Sequence, residues 1–147
     1  MSLYAQRPWQ QHLPQALQGY QLHPAQVHAN LAQLLQPQHM HFPQAAAFSV
    51  VLPNGLTKSL SFQEIDEQSS ALANYLQQHL KLQQGDVVGL QMPNSLHYPI
   101  AVFACWKVGL IITNINPLYT ARELEYQLTD SATKALIVSD LFIHTFE

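Results

Sequence analysis

The fold is decided by residues 87–115, which read VVGLQMPNSLHYPIAVFACWKVGLIITNI. Two short apolar runs, at residues 87–92 and 110–115, flank a stretch with helical spacing that ends at a glycine. A second stretch with helical spacing, 120–129, and a third apolar run, 135–138, follow. Apolar strands that alternate with helices of about 10–15 residues are typical of parallel sheets with helices on both faces. The sequence therefore predicts an α/β fold with a mostly parallel sheet.

A β-hairpin is predicted ahead of this sheet. Apolar runs at residues 47–52 and 56–62 are joined by Pro-Asn-Gly at 53–55, and Asn-Gly favours a tight turn because both residues tolerate positive φ. The sequences beginning at Ser61 and Thr120 have a hydroxyl residue followed three positions later by glutamate. This spacing is typical of a capping box at the start of a helix.

The two ends of the chain differ from its middle. Residues 1–26 contain three prolines and no sustained period, which predicts an extended leader. Over residues 27–39 the apolar positions recur at helical spacing, which predicts an amphipathic helix. The apolar residues of 141–147 begin a helix that has no stop signal. We therefore expect one domain over residues 27–147, truncated at its carboxyl end.

Composition excludes several classes of protein. Only 10% of the residues are charged, the net charge is −3, and there are six Lys or Arg residues. Nucleic-acid binding needs a clustered basic face, so we expect no nucleic-acid partner. The single cysteine excludes an internal disulfide and suits the reducing cytosol. No apolar run is long enough to cross a bilayer. The protein is predicted to be cytoplasmic, with at most a peripheral contact at the inner face of the membrane.

Phosphate-binding and metal-binding motifs are missing from the sequence. The five glycines form neither G-x-G-x-x-G nor a Walker loop. Of the eight histidines, only His39 and His41 form a close pair, and no carboxylate or cysteine stands at ligand spacing beside them. Histidines at a helix end or in a surface loop are therefore favoured over a zinc site, which needs three or four ligands.

Other single residues are better explained by structure than by catalysis. Cys105 lies in the most apolar helix, where burial suppresses thiol reactivity, so a core thiol is favoured over a nucleophile. Lys107 could contact an anion, but a stem running along the helix end is favoured. The carboxylates of Glu64, Asp66 and Glu67 fall in a predicted first helical turn, where they suit the helix dipole.

The best candidate for a functional loop is residues 114–120, Asn-Ile-Asn-Pro-Leu-Tyr-Thr. It follows the carboxyl end of a predicted parallel strand, which is the edge where such sheets bind ligands. The alternative is a rigid turn whose asparagines bond to their own backbone. The structural alternative is favoured, and both remain open at this point.

Taken together, these residues resemble the amino-terminal part of the acyl-adenylate-forming (AMP-binding) ligases, and most closely the bacterial long-chain fatty-acid–CoA ligases. The Asn-Pro-Leu-Tyr-Thr and Arg-Glu-Leu-Glu sequences are the most specific to the acyl-CoA branch. The matching stretches, in chain order, are residues 7–9, 60–65, 85–94, 98–103, 104–109 and 114–125.

The resemblance implies an incomplete amino-terminal part of the large domain of an adenylate-forming enzyme. It also implies that the full-length enzyme uses ATP, Mg²⁺ and coenzyme A to convert a fatty acid into its acyl-CoA, with release of AMP and pyrophosphate. In such enzymes the phosphate loop, the acidic residues that hold metal and ribose, and the catalytic lysine lie beyond the stretch matched here. We therefore assign no catalytic, cofactor-binding or metal-binding residue, and we expect the 147-residue chain to be inactive alone and to bind no cofactor.

Two alternatives to an inactive ligase fragment stay open. The chain could be a free-standing interaction module that pairs with a full-length ligase, or a fragment of an aryl-CoA ligase. The resemblance also leaves open a homodimer of the parent enzyme.

Overall fold

The structure is a computed structural model and describes residues 6–21, 23–24 and 27–146. Its α-helices and strands, in chain order, are α1 (Gln36–His41), β1 (Ala46–Val51), β2 (Thr57–Ser61), α2 (Phe62–Gln78), β3 (Val87–Gln91), α3 (His97–Val108), β4 (Ile111–Asn114), α4 (Ala121–Asp130) and β5 (Thr133–Val138). Short 3-10 helices lie at Pro8–His12, Gln15–Leu17, Leu31–Leu35 and Asp140–Phe146.

The strands form two sheets. Strands β1 and β2 pair antiparallel, and the three strands of the second sheet run parallel in the order β4-β3-β5. The first strand of the parallel sheet is therefore its centre, with β4 on one side and β5 on the other. The predicted α/β fold, with a mostly parallel sheet and an amino-terminal hairpin, is confirmed.

The main core lies between the parallel sheet and helices α2 and α3. Val88 and Leu90 of β3 point into it, because alternate residues of a strand face the same side. Helix α3 contributes residues from most of its circumference, since every residue from Pro99 to Cys105 is buried. A helix that is apolar all round is typical of one enclosed between two layers.

The other face of β3 is packed just as closely. A Cβ atom on Gly89 would lie 2.8 Å from the Cδ1 atoms of both Ile115 and Leu136. Glycine at this position therefore lets the two side chains meet over the central strand. A second core cluster fixes the hairpin to the helices and consists of Leu35, Leu60, Ile65, Ile100 and Phe103.

Both predicted capping boxes are present. The Ser61 Oγ accepts a hydrogen bond from the backbone N–H of Glu64, and the Glu64 carboxylate accepts one from the backbone N–H of Ser61 at 2.8 Å. Thr120 and Glu123 make the same reciprocal pair at the start of α4. These bonds fix where α2 leaves the hairpin and where α4 leaves the loop after β4.

The capping boxes predict a defined pH dependence of stability. Hydrogen bonds from the backbone and then the side chain of Ser61 lower the pKa of Glu64, and those of Thr120 lower the pKa of Glu123. A carboxyl group whose pKa is lowered by folding stabilises the folded state at pH values above its ordinary pKa of 4.5. This stabilisation is lost as the pH falls through the lowered pKa. We expect the double substitution Glu64→Gln and Glu123→Gln to reduce the loss of the free energy of unfolding as the pH falls below 4.5, measured by urea unfolding. An unchanged decline would contradict the assignment.

Helix α1 differs from the helix predicted over residues 27–39. The chain becomes helical only after Asn30, whose side chain accepts a hydrogen bond from the backbone N–H of Gln33 at 3.2 Å. A 3-10 turn follows and then α1, and only Leu35 of the expected apolar face is buried. The prediction was wrong at its start because an asparagine at this position caps a helix better than it continues one.

The chain ends are helical in short pieces. The predicted leader contains the first two 3-10 helices, and residues 1–5, 22, 25 and 26 of it lie outside the described residues. The helix predicted to begin at residue 141 is present as the 3-10 helix Asp140–Phe146, with Leu141 and Ile143 exposed.

The interpretation of Lys107 as a residue that only lines its own helix end was wrong. Its Nζ atom donates hydrogen bonds to the Asp66 carboxylate at 2.8 Å, to the Asp66 backbone carbonyl at 2.8 Å and to the Ser70 hydroxyl at 2.7 Å. Asp66 is therefore paired with a cation on α3. The prediction that Glu64, Asp66 and Glu67 share the first turn was wrong for the last two, because the helix begins at Phe62 and only Glu64 lies in that turn. Residues 41 positions apart come together only through packing, which no local pattern reveals.

Candidate functional site at the carboxyl edge of the parallel sheet

The carboxyl ends of the three parallel strands meet at one edge. Strand β3 ends at Gln91, β4 at Asn114 and β5 at Val138. Backbone hydrogen bonds hold the connecting segments to the central strand, since Ile115 N–H donates to the Leu90 carbonyl and Ser139 N–H donates to the Gln91 carbonyl. Open α/β sheets bind their ligands at this edge.

The loop after β4, residues 115–120, is an ordered turn. The Asn116 Oδ1 atom accepts a hydrogen bond from the backbone N–H of Leu118 at 3.0 Å, and the Asn116 carbonyl accepts one from Tyr119 N–H at 3.1 Å. An asparagine that bonds two residues ahead is the geometry expected of a structural turn. The structure therefore favours the interpretation in which this asparagine shapes the backbone.

Asn114 connects three elements at this edge. Its Oδ1 atom accepts a hydrogen bond from the Tyr98 hydroxyl of α3 at 3.0 Å, and its backbone carbonyl accepts one from the Gln127 Nε2 atom of α4 at 2.9 Å. Gln127 also donates to the Thr113 hydroxyl at 2.9 Å. These contacts set the positions of α3 and α4 relative to the end of β4.

Gln91 is a polar residue at the carboxyl end of the central strand β3. Its side chain is fully buried, and neither its Nε2 nor its Oε1 atom has a hydrogen-bond partner among the described residues. Buried amides are nearly always hydrogen-bonded. Sequence reasoning missed this position, although a glutamine at the end of an otherwise apolar strand was a visible signal.

Two open grooves lie beside the edge. One, of about 600 Å³, lies between the ends of β3 and β5 and has Met92, Pro93, Ser139 and Asp140 among its lining residues. The other, of about 540 Å³, lies beside the loop after β4 and is lined by Asn114, Tyr119, Arg122, Glu123, Tyr126, Gln127 and Asp130. Its side chains provide one cation, two tyrosines and two carboxylates besides amides, so it could bind a polar group.

The one cysteine is not a reactive thiol, and the described residues contain no metal-binding cluster. Cys105 is fully buried, and burial raises the pKa of its thiol to about 11, so it is protonated at neutral pH. Its predicted role as a core residue is confirmed. No group of three or more His, Cys, Asp or Glu side chains within the described ranges could hold a metal ion. The carboxyl edge of the parallel sheet is therefore a packed framework that presents polar side chains.

Comparison with protein families identifies this framework. Residues 35–146 match the family described as "AMP-binding enzyme". The chain belongs to the AMP-binding enzyme family. The match covers α1 and every later helix and strand given above, so it includes both the hairpin and the parallel sheet.

Curated relatives of this chain are named long-chain-fatty-acid–CoA ligases. A protein of that name from Yersinia pestis is 52% identical over 88 residues, which is 60% of this chain and 16% of the relative. One from Bacillus subtilis is 32% identical over 139 residues, 95% of this chain and 23% of the relative. The chain thus spans about a sixth to a quarter of the length of these proteins.

Solved structures show the same fold. The N-terminal domain of FACL13 from Mycobacterium tuberculosis matches 80% of this chain with a TM-score of 0.70 at 23% identity, and the match covers 28% of the FACL13 domain. A fatty acyl-adenylate ligase from L. pneumophila matches 80% with a TM-score of 0.71 at 21% identity, covering 21% of that chain. The α/β architecture is therefore that of part of an adenylate-forming N-terminal domain.

Proposed function

We propose that this chain forms the amino-terminal part of a long-chain fatty-acid–CoA ligase. The observation that carries the proposal is the 52% identity over 88 residues to a protein of that name. The 32% identity to a second ligase over 95% of the chain supports the same assignment over nearly its whole length. The aryl-CoA alternative rests on fold likeness alone, as with an anthranilate CoA ligase at 23% identity.

The reaction proposed for the longer protein has two steps. A fatty carboxylate attacks ATP and forms an acyl-adenylate with release of pyrophosphate, and coenzyme A then displaces AMP to form the thioester. The first step needs Mg²⁺ and hydrogen-bond donors around the phosphates, because negative charge must be neutralised in the transition state. We assign none of these roles to a residue of this chain.

The part proposed for this chain is to hold the carboxyl edge of the sheet in place. Asn114 binds α3 through Tyr98 and α4 through Gln127. Asn116 shapes the turn that joins β4 to α4. A rigid edge of this kind supports loops that bind substrate, because sites on well-packed elements are held more precisely than sites on mobile segments.

The chain alone is expected not to catalyse fatty-acid-dependent exchange of labelled pyrophosphate into ATP. The reason is that the sequence has no phosphate-loop motif, and no cluster among the described residues could hold a metal ion. The measurement compares the purified chain with a mock purification and with a full-length related ligase as the positive control. Exchange above the mock level that requires added fatty acid would contradict the expectation.

A second candidate function is an interaction module that pairs with a full-length ligase. It is favoured by the parallel sheet, in which β4 and β5 each pair only with β3 among the described strands, so that their outer edges are open. An antibody against residues 27–129, used on a denaturing gel of source-cell lysate, separates the two proposals. A band several times heavier than 16.6 kDa supports part of a ligase, and a band at that mass supports the module.

The proposed location is the cytoplasm, with peripheral contact to the membrane where long-chain substrates partition. None of the helices in the described ranges is long and apolar enough to span a bilayer. Homodimerisation of the longer protein is part of the same proposal. Sedimentation of that protein with and without vesicles would test both points.

A further inference from the structure

Helix α4 carries an exposed polar face on the side away from the core. Leu124 marks its inner side and is 3% exposed, whereas Tyr126 is 72% exposed. Two residues along a helix lie on nearly opposite sides of it, so Tyr126 points directly away from the core. Arg122 and Asp130 lie about one turn before and one turn after Tyr126, and both are exposed. We call Arg122, Tyr126 and Asp130 the α4 face.

The α4 face is open and its charges are unpaired. The groove of about 540 Å³ beside the loop after β4 runs along it, and all three residues of the face line this groove. Within the ranges that the structure describes, neither the Arg122 guanidinium nor the Asp130 carboxylate takes part in an ion pair. The face therefore presents one free cation and one free anion on either side of an exposed aromatic ring.

The two charges of the α4 face oppose the dipole of their own helix. Arg122 is the second residue of α4, and Asp130 is its last. A helix is stabilised by anions in its first turn and by cations in its last turn. Both charges thus stand at the end of α4 where they lower its stability. This placement indicates that they serve a contact outside the helix.

A second copy of the chain supplies that contact. When two α4 helices pack antiparallel about a two-fold axis at Tyr126, residue 122 of each copy lies opposite residue 130 of the other, because both are four positions from the axis. The same attractive pair then forms twice. Each charge also lies near the end of the other helix whose dipole attracts it. The face is therefore complementary to itself in charge.

We propose that the α4 face is an interface between two copies of this chain, in which each Arg122 pairs with the partner's Asp130 and the two Tyr126 rings meet at the axis. The choice of a second copy rests on the homodimer included in the proposed function. A helix of 10 residues is about 15 Å long, and its face covers less than the roughly 800 Å² per partner of a stable interface. The dimer is therefore weak and in equilibrium with the monomer.

Other occupants fit the α4 face less well. With Glu123 and Glu125, the exposed side of the helix carries three carboxylates and one guanidinium group. This excess of negative charge disfavours anionic lipid and nucleic acid. Arg122 and Asp130 are eight residues apart, which is about 12 Å along a helix. A small ligand would need opposite charges at that separation, whereas the second copy has them.

Charge reversal tests the pairing in the 147-residue chain. In Arg122→Asp both opposed pairs become two carboxylates, and in Asp130→Arg both become two guanidinium groups. Sedimentation velocity over a range of protein concentrations at low salt should show that each variant alone self-associates about tenfold more weakly than the unsubstituted chain, or less. An equal mixture of the two variants should form a heterodimer, because every opposed pair then consists of an aspartate and an arginine.

Two controls accompany this experiment. Both reversals place a charge where the dipole of α4 favours it, so urea unfolding should show no loss of stability, and weaker association is then not a result of unfolding. Glu125→Arg makes the same change of charge as Asp130→Arg on the same helix, at a position outside the groove lining. It should leave self-association within about threefold, because a charge beside an interface contributes little to affinity.

Three results would overturn the proposal. The first is an unsubstituted chain that stays monomeric up to its solubility limit. The second is an equal effect of Glu125→Arg and Asp130→Arg, which would show that association responds only to net charge. The third is a mixture of the two reversal variants that does not associate, since Arg122 and Asp130 would then not face each other. All three leave the proposed ligase function intact, because the native size of the protein tests it separately.

Discussion

Replacing Gln91 by methionine is expected to stabilise the protein by about 2 kcal/mol, which corresponds to a rise of roughly 6 °C in Tm. The Gln91 side chain is fully buried, and both polar atoms of its amide lack a partner in the described residues. An unsatisfied buried polar group costs about 1–3 kcal/mol. Methionine has a similar length and is flexible, so it fills the same space without that cost.

The matched control is Gln127→Met. The Gln127 amide donates to the Thr113 hydroxyl and the Asn114 carbonyl, so the same substitution there should lower the free energy of unfolding by about 1 kcal/mol. Urea unfolding followed by tryptophan fluorescence measures both variants, with an unchanged slope showing that the midpoint reports stability. Loss of stability in Gln91→Met would mean that the buried amide is satisfied in solution.

Replacing Lys107 by methionine is expected to destabilise the protein by about 2 kcal/mol. The Lys107 ammonium group joins α3 to Asp66 and Ser70 of α2 through three oxygen atoms, and the lysine side chain is 20% exposed. Methionine keeps most of the aliphatic stem, so the loss reports the hydrogen bonds. Hydrogen bonds to a charged group are stronger than those between neutral groups.

Lys134→Met provides the comparison for that result. The Lys134 ammonium also contacts a carboxylate, that of Asp86 at 2.6 Å, but the lysine side chain is 61% exposed. Exposed ion pairs contribute about 0–1 kcal/mol, so this variant should cost clearly less than Lys107→Met. Equal losses in the two variants would show that burial and the extra oxygen atoms around Lys107 do not add to its contribution.

Local patterns predicted the elements that have local causes. The capping boxes at Ser61 and Thr120, the hairpin turn at residues 53–55 and the end of α3 at Gly109 were all readable. Gly109 has φ +81°, a conformation in which glycine carries no steric penalty. Each of these signals lies within four residues of the structure that it specifies.

Features that depend on packing between distant segments were not predicted. The Lys107–Asp66 contact needed the three-dimensional arrangement. The groove between the β1–β2 hairpin and α3 is a further case, because its two walls come from residues about fifty positions apart in sequence. A helical period shows which residues share a face, but it does not show what lies opposite.

The candidate site was predicted in its place but not in its details. The carboxyl edge and the loop after β4 were located by the order of strands and helices. The contacts of Asn114 with Tyr98 and Gln127 were not, because a polar residue at a strand end has many possible partners. The low content of charged residues did not help to predict these contacts, because it is a property of the whole chain and not of particular residues.

The central position of β3 has a consequence for how the chain is made. Strand β3 leaves the ribosome first among the parallel strands, yet its partner β5 is the last strand of the described chain to emerge. One edge of an apolar strand therefore stays unpaired until β5, Thr133–Val138, has been synthesised. With only 10% charged residues there is little repulsion between nascent chains during this interval, so co-translational shielding of β3 by a chaperone should determine the yield of soluble protein.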